Sequence, residues 1–170
     1  MPPPDGLLPQ TLGVMKNVRE FQVLADYHQF YLMDADIAPL IPETITDKDM
    51  LRRLRTAPHI AVFHTESASQ VQVEVAFVPE PFEAKGVWEH EAEFSLFLPS
   101  GIAVLCGCTD YVPHCPRLSV TPSNYDGRAY FAGSTVGKER YFIMLWPSAA
   151  QPIIPPDLSR QAAPARLAAR

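Results

Sequence analysis

A chain of 170 residues, 47% of them hydrophobic, fits one domain with a core of its own and is not disordered throughout. Eighteen prolines against eight glycines disfavour long helices and suit short strands and turns. The net charge is −5, and nine Lys and Arg against seventeen Asp and Glu put residues 20–146 at −8, which argues against phosphate-led binding of nucleic acid.

No run of about 18 apolar residues occurs, so no membrane-spanning segment is expected. The opening Met1-Pro2-Pro3-Pro4-Asp5 has no basic stretch leading into an apolar one, so no signal peptide is read. Three cysteines leave at least one thiol unpaired within the chain, and a reducing cytoplasm is the expected compartment. Residues 1–19 are proline-rich without a period and are expected to be a flexible lead.

The first periodic segment, Phe21–Met33, is rich in aromatic and branched residues and predicts one long or bent strand. Thr46–Arg55 is the one good helix, with Thr46 or Asp47 as its cap, acids in its first turn and arginines in its last. His59–His64 and Gln70–Pro79 follow as strands, the second with Val71, Val73, Val75 and Phe77 on one face. In Trp88–Leu98 the apolar face alternates with Glu89, Glu91, Glu93 and Ser95, a wet and acidic face. A Pro-Ser-Gly turn leads to Ile102–Thr109, apolar on both faces and expected inside a sheet. Leu118–Val120, Arg128–Ala132 and Arg140–Trp146 complete seven to nine strands.

That count predicts an all-β fold: an antiparallel β-sandwich of jelly-roll or C2-like type over 20–147, with one short helix. A closed barrel fits the same periodicity. Residues 148–170 follow a different composition, since five prolines and seven alanines fall between Pro147 and Arg170, and they predict a disordered tail. As a tether, that tail would serve an interaction module.

Cys106 and Cys108 lie two apart on a strand, and His114 and Cys115 follow a proline-containing loop. The set has the residue types of a Cys3His zinc site, but C-x-C-x6-C matches no standard zinc knuckle, and small buried core residues account for the first two cysteines. No metal ligand set and no cofactor are read from the sequence. His28, with Asp26 or Asp110 to orient it, has the make-up of a general base, or of a strand residue bonded across a sheet. Asp110 has the position of a turn-closing residue. His28, Asp110, Tyr111, His114 and Cys115 are therefore the candidate set for a small-ligand site or an enzyme. Glu89, Glu91 and Glu93 are the candidate contact surface for a basic protein partner, or a solvated strand face.

Two segments carry a resemblance. Asp26-Tyr27-His28-Gln29-Phe30 is similar to a motif near the start of the competence protein ComJ family. Phe97-Leu98-Pro99-Ser100-Gly101-Ile102-Ala103-Val104-Leu105-Cys106 resembles that family's later segment, in the same order along the chain. Trp88-Glu89-His90, Gly107–Tyr111, Pro116-Arg117 and Leu145-Trp146-Pro147 resemble a wider set of uncharacterised bacterial proteins. The resemblance implies a non-catalytic β-sandwich that binds and blocks a partner, either a nuclease or a toxin to which it confers immunity. It assigns no inhibitory residue.

Overall fold

The structure is a computed structural model that describes residues 17–41, 43–134 and 138–150. The expected lead over 1–19 and tail over 148–170 fall largely outside the described residues.

Among the described residues ten strands form two five-stranded sheets packed face to face, and the sandwich expected from the periodicity is the fold observed. The strands are β1 (Val18–Leu24), β2 (Gln29–Asp34), β3 (Leu54–Ala57), β4 (Ile60–His64), β5 (Gln70–Phe77), β6 (His90–Leu98), β7 (Ile102–Gly107), β8 (Arg117–Ser119), β9 (Ser123–Ala132) and β10 (Arg140–Pro147). The first sheet runs β1-β5-β10-β9-β6 and the second β3-β4-β2-β7-β8. All pairings are antiparallel except β5 with β10, which lie parallel with Val73 opposite Tyr141.

The core follows from alternation. Val71, Val73 and Val75 of β5 and Ala92, Phe94, Leu96 and Leu98 of β6 are buried, while Glu91, Glu93 and Ser95 face solvent. Five rings from both sheets interlock between the layers. Phe30 stacks on Phe63 at 5.0 Å and meets Tyr141 edge-on at 5.1 Å; Phe63 meets Phe94 at 5.6 Å and Tyr141 meets Phe131 at 5.2 Å. Such contacts add about 0.5–1.5 kcal/mol each beyond the area they bury. Gly127 belongs to the same packing, because a Cβ there would stand 2.4 Å from the Phe94 ring.

Both outer faces are also partly apolar, and loops cover them. Val78, Phe82, Ala84 and Trp88 lie over Tyr130, Phe142 and Met144 on the first sheet. On the second, Ala35, Ile41 and Cys115 lie over Met33, Ile60, Val62, Val104 and Cys106. This second covering explains why β7 reads as apolar on both faces.

Three expectations change. The single strand over Phe21–Met33 is two strands, β1 and β2, in different sheets. A 3₁₀ turn over Asp26–His28 breaks the run, with Tyr27 at φ 54° and His28 at φ 59°. The helix is shorter than Thr46–Arg55. It is α1 (Asp47–Arg52), capped by Thr46, which accepts from the Asp49 N–H and donates its own N–H to the Asp49 carboxylate. Arg53 at φ 55° ends it, so that Leu54 and Arg55 enter β3 and become buried. The strand expected over Arg128–Ala132 begins five residues earlier, at Ser123, because ladder pairing with β6 and β10 outweighs the low strand propensity of Asn124, Asp126 and Gly127.

Candidate functional site

The chain passes from the first sheet to the second at one end of the sandwich, and several candidate residues meet there. Asp26 accepts from the Tyr27 N–H at 3.2 Å and from the Thr109 hydroxyl at 3.1 Å, which joins the Ala25–His28 turn to the loop after β7. The approach is close: a Cβ on Gly107 would lie 2.2 Å from the Leu24 carbonyl. Asp110 closes its own turn, since its carboxylate accepts from the Gly107 N–H at 2.7 Å.

Beyond Asp110 a second 3₁₀ turn, Val112–His114, sets the Tyr111 and His114 rings edge to face at 4.9 Å. Tyr111, Asp110 and His114 are exposed. Cys115 turns inward, 8% exposed, over Cys106, and its thiol donates to the Tyr111 carbonyl at 3.7 Å. Burial pushes both the Cys106 and Cys115 thiols up from the usual thiol range. Burial also raises Tyr31, to about 12, with a hydrogen bond to Cys108 as the next cause.

His28 points elsewhere. Its Nδ1 donates to the Glu66 carbonyl at 3.1 Å, its backbone carbonyl accepts from the Thr65 N–H at 2.9 Å, and among the described residues no hydrogen bond joins it to 106–115. Thus Asp110, Tyr111 and His114 share one loop, His28 stands on the neighbouring turn, and Cys115 lies beneath. The arrangement holds neither a nucleophile–base pair nor a buried general base. No three His, Cys, Asp or Glu side chains among the described residues stand where they could hold a metal ion.

The acidic strip is less free than its spacing suggests. Glu89 precedes β6 and accepts from the Gly133 N–H at 3.0 Å and from the Ser134 hydroxyl, and the Ser134 bond holds its carboxyl below the usual range. Glu93 is paired with Arg128 at 2.7 Å; the same guanidinium reaches Glu83 at 3.3 Å and lies over the Trp146 ring. Glu91 stands exposed between them. Two of the three carboxylates therefore already have partners inside the chain.

A cavity of about 740 Å³ lies elsewhere, along β6 and the β3–β4 turn, lined by Arg52, Pro58, Phe97, Asp126 and Trp146 among others. Beside it the Phe97 N–H donates to the Pro58 carbonyl at 2.8 Å, and the His59 side chain donates from Nδ1 to the Phe97 carbonyl at 3.1 Å. A second cavity of about 580 Å³ lies against Tyr125 and Pro147. None of His28, Asp110, Tyr111, His114 or Cys115 lines either.

Tyr27 and Val112, both exposed, lie outside the candidate set: an exposed aromatic inside a strand-like run and a valine in a proline-containing loop carry no distinguishing pattern. The left-handed backbone at Tyr27 has no signature in the sequence, since tyrosine is not among the residues that favour positive φ, whereas histidine, as at position 28, is one of them.

Two facing five-stranded sheets make this a β-sandwich, and its fold is ComJ-like. The structure matches ComJ, the inhibitor of the DNA-degrading activity of NucA from Bacillus subtilis, with a TM-score of 0.65 over 76% of this chain and 96% of that one, at 12% identity. It also matches the product of crocagin biosynthetic gene J, with a TM-score of 0.57 over 77% and 97%, at 18% identity. The likeness is one of fold. Neither a protein-family model nor a curated protein matches the sequence. β2 pairs with β7, Phe30 opposite Gly107 and Tyr31 opposite Cys106, so the stretches over 26–30 and 97–106 adjoin in space.

Proposed function

We propose that this protein is a non-catalytic protein-binding module that docks on and blocks a nuclease or a toxin. The observation that carries the reading is the shared fold: 96% of the ComJ chain superposes on this sandwich, and ComJ is a nuclease inhibitor. The site geometry supports it from the other side. The histidines, cysteines and carboxylates of the candidate set are engaged in turns and backbone contacts or buried, and they line neither of the two cavities above. An acidic body at −8 over residues 20–146 suits a basic partner, drawn in by charge and released by salt. The compartment proposed is the cytoplasm.

The test is biochemical. The tagged full chain retains proteins from its own host, these are identified by mass, and each nuclease among them is assayed on linear DNA with and without the chain. The reading expects stoichiometric suppression of DNA cleavage, or rescue from a toxin encoded beside the gene. Retention of neither a nuclease nor a toxin would overturn it.

A further inference from the structure

We infer that the partner docks on the end of the sandwich where the Ala25–His28 turn lies beside the Thr109–His114 loop, and that the occupant is a Lys- and Arg-rich protein segment. The inference rests on the protein-binding reading above and assigns it a surface.

Four of the exposed large hydrophobic residues gather on these two loops and their flanks: Leu24 at 39%, Tyr27 at 71%, Tyr111 at 67% and Val112 at 38% exposed. The outer faces of both sheets, by contrast, are largely roofed by the chain's own loops. Exposed tyrosines are common anchors of protein interfaces, because a large ring is presented at little cost in rotamer freedom.

The presentation here is rigid. The His28 N–H donates to the Ala25 carbonyl at 3.0 Å, the Ala25 N–H to the Ser69 carbonyl at 3.0 Å, and the Thr109 hydroxyl ties the two loops at Asp26. A surface fixed before binding loses little entropy on docking.

Charge selects the occupant. Asp26 and Asp110 take their hydrogen bonds from neutral donors, which bring no compensating charge, and the Glu66 backbone carbonyl meets the His28 ring on the same turn. The cations in the neighbourhood are Arg53, paired with Glu66 at 3.5 Å, Arg117, beyond Cys115, and Arg55, which is 7% exposed and turned inward onto Gln29 and His64. Aromatic rings flanked by carboxylates bind Lys and Arg through both cation–π and ionic contacts. The Glu91–Glu93 face offers a weaker field, since Arg128 already sits on it.

The experiment places the photocrosslinker p-benzoylphenylalanine at Tyr27, at Tyr111 or at Glu91 of the full chain, in its own host. The inference expects one discrete adduct from positions 27 and 111, with a protein of basic isoelectric point, and none from 91. Adducts from 91 alone overturn this surface and leave the protein-binding reading standing. An acidic adduct partner overturns the charge argument, and no adduct from any position overturns both readings. With the adduct partner in hand, Tyr27→Ala is expected to weaken the complex at least tenfold with the fold retained; unchanged affinity would remove Tyr27 from the interface.

Discussion

Asp34 holds Ser100. One carboxylate oxygen accepts both the backbone N–H of Ser100, at 3.0 Å, and its hydroxyl, at 2.8 Å, while the other accepts the Asp36 N–H at 2.9 Å. Asp34 is 2% exposed at the end of β2, so the bond fixes the Pro99–Gly101 turn between β6 and β7 against the other strand of its sheet. Asp34→Ala leaves these donors unpaired in a dry site and is expected to cost about 2–4 kcal/mol. Ser100→Ala removes one bond and is expected to cost about 1 kcal/mol. Urea denaturation at neutral pH distinguishes the two; equal, small losses would show that the turn holds without the pair.

That pair marks how far the sequence was legible. Alternation gave the faces of β5 and β6, and the Pro-Ser-Gly turn was visible from composition, because both follow from local chemistry. The partner of Ser100 stands 66 residues earlier and has no local signature. The break at Asp26–His28 was missed for the opposite reason: its aromatic and branched residues have strand propensity, and the crossover between sheets is a tertiary demand. The acidic strip was legible as a face but not as a set of bonds, since Arg128 and Ser134 lie more than thirty residues away. Candidate residues could be named, but which of them were already occupied could not.

The left-handed backbone at Tyr27 offers a direct test of strain. A non-glycine residue in this region costs about 1–2 kcal/mol, and glycine in a fixed conformation costs about 0.5–1 kcal/mol in unfolded-state entropy. Tyr27 is 71% exposed, so little packing is lost on truncation. Tyr27→Gly is therefore expected to raise stability by up to about 1 kcal/mol, read as a higher midpoint of thermal unfolding. A lower midpoint would mean that the ring makes stabilising contacts at the surface.

The three thiols should separate by reactivity. Cys106 and Cys115 are buried, and burial disfavours their thiolates, whereas Cys108 is partly exposed at the end of β7. Iodoacetamide at pH 8 is expected to alkylate Cys108 first in the folded protein, with the other two following only in denaturant. Peptide mass mapping reads the order. Early labelling of Cys115 would show that the Val112–His114 turn opens readily, and would weaken the case for a rigid docking surface.

Acid should find Glu139. The side chain is 5% exposed before β10, and its carboxylate accepts the Glu66 N–H at 3.0 Å, the Ser67 N–H at 2.6 Å and the Tyr141 hydroxyl. Burial alone would raise the carboxyl, and the three donors together, Tyr141 foremost, bring it below its ordinary 4.5. The folded state thus prefers the ionised form. Its stabilisation is complete above about 4.5 and is lost as pH falls through the lower folded value. Tyr141 behaves in the reverse sense: burial first, then Glu139, raise its phenol, so it remains a neutral donor at ordinary pH and its contribution is lost only in strong alkali. Glu139→Gln turns an acceptor into an amide that faces two N–H donors, and is expected to cost about 1–3 kcal/mol at pH 7. It should also flatten the stability profile between pH 5 and 3 relative to the unaltered chain. Tyr141→Phe keeps the ring against Phe30 and Phe131 and removes only the hydroxyl, so the loss at pH 7 should be about 1 kcal/mol and the acid transition should move to higher pH. Urea midpoints at pH 7, 5 and 3 for the three proteins read both effects. Parallel profiles for all three would show that this carboxylate does not govern acid stability, and that the loop carrying Glu66, beside the proposed docking surface, is held by its backbone contacts alone.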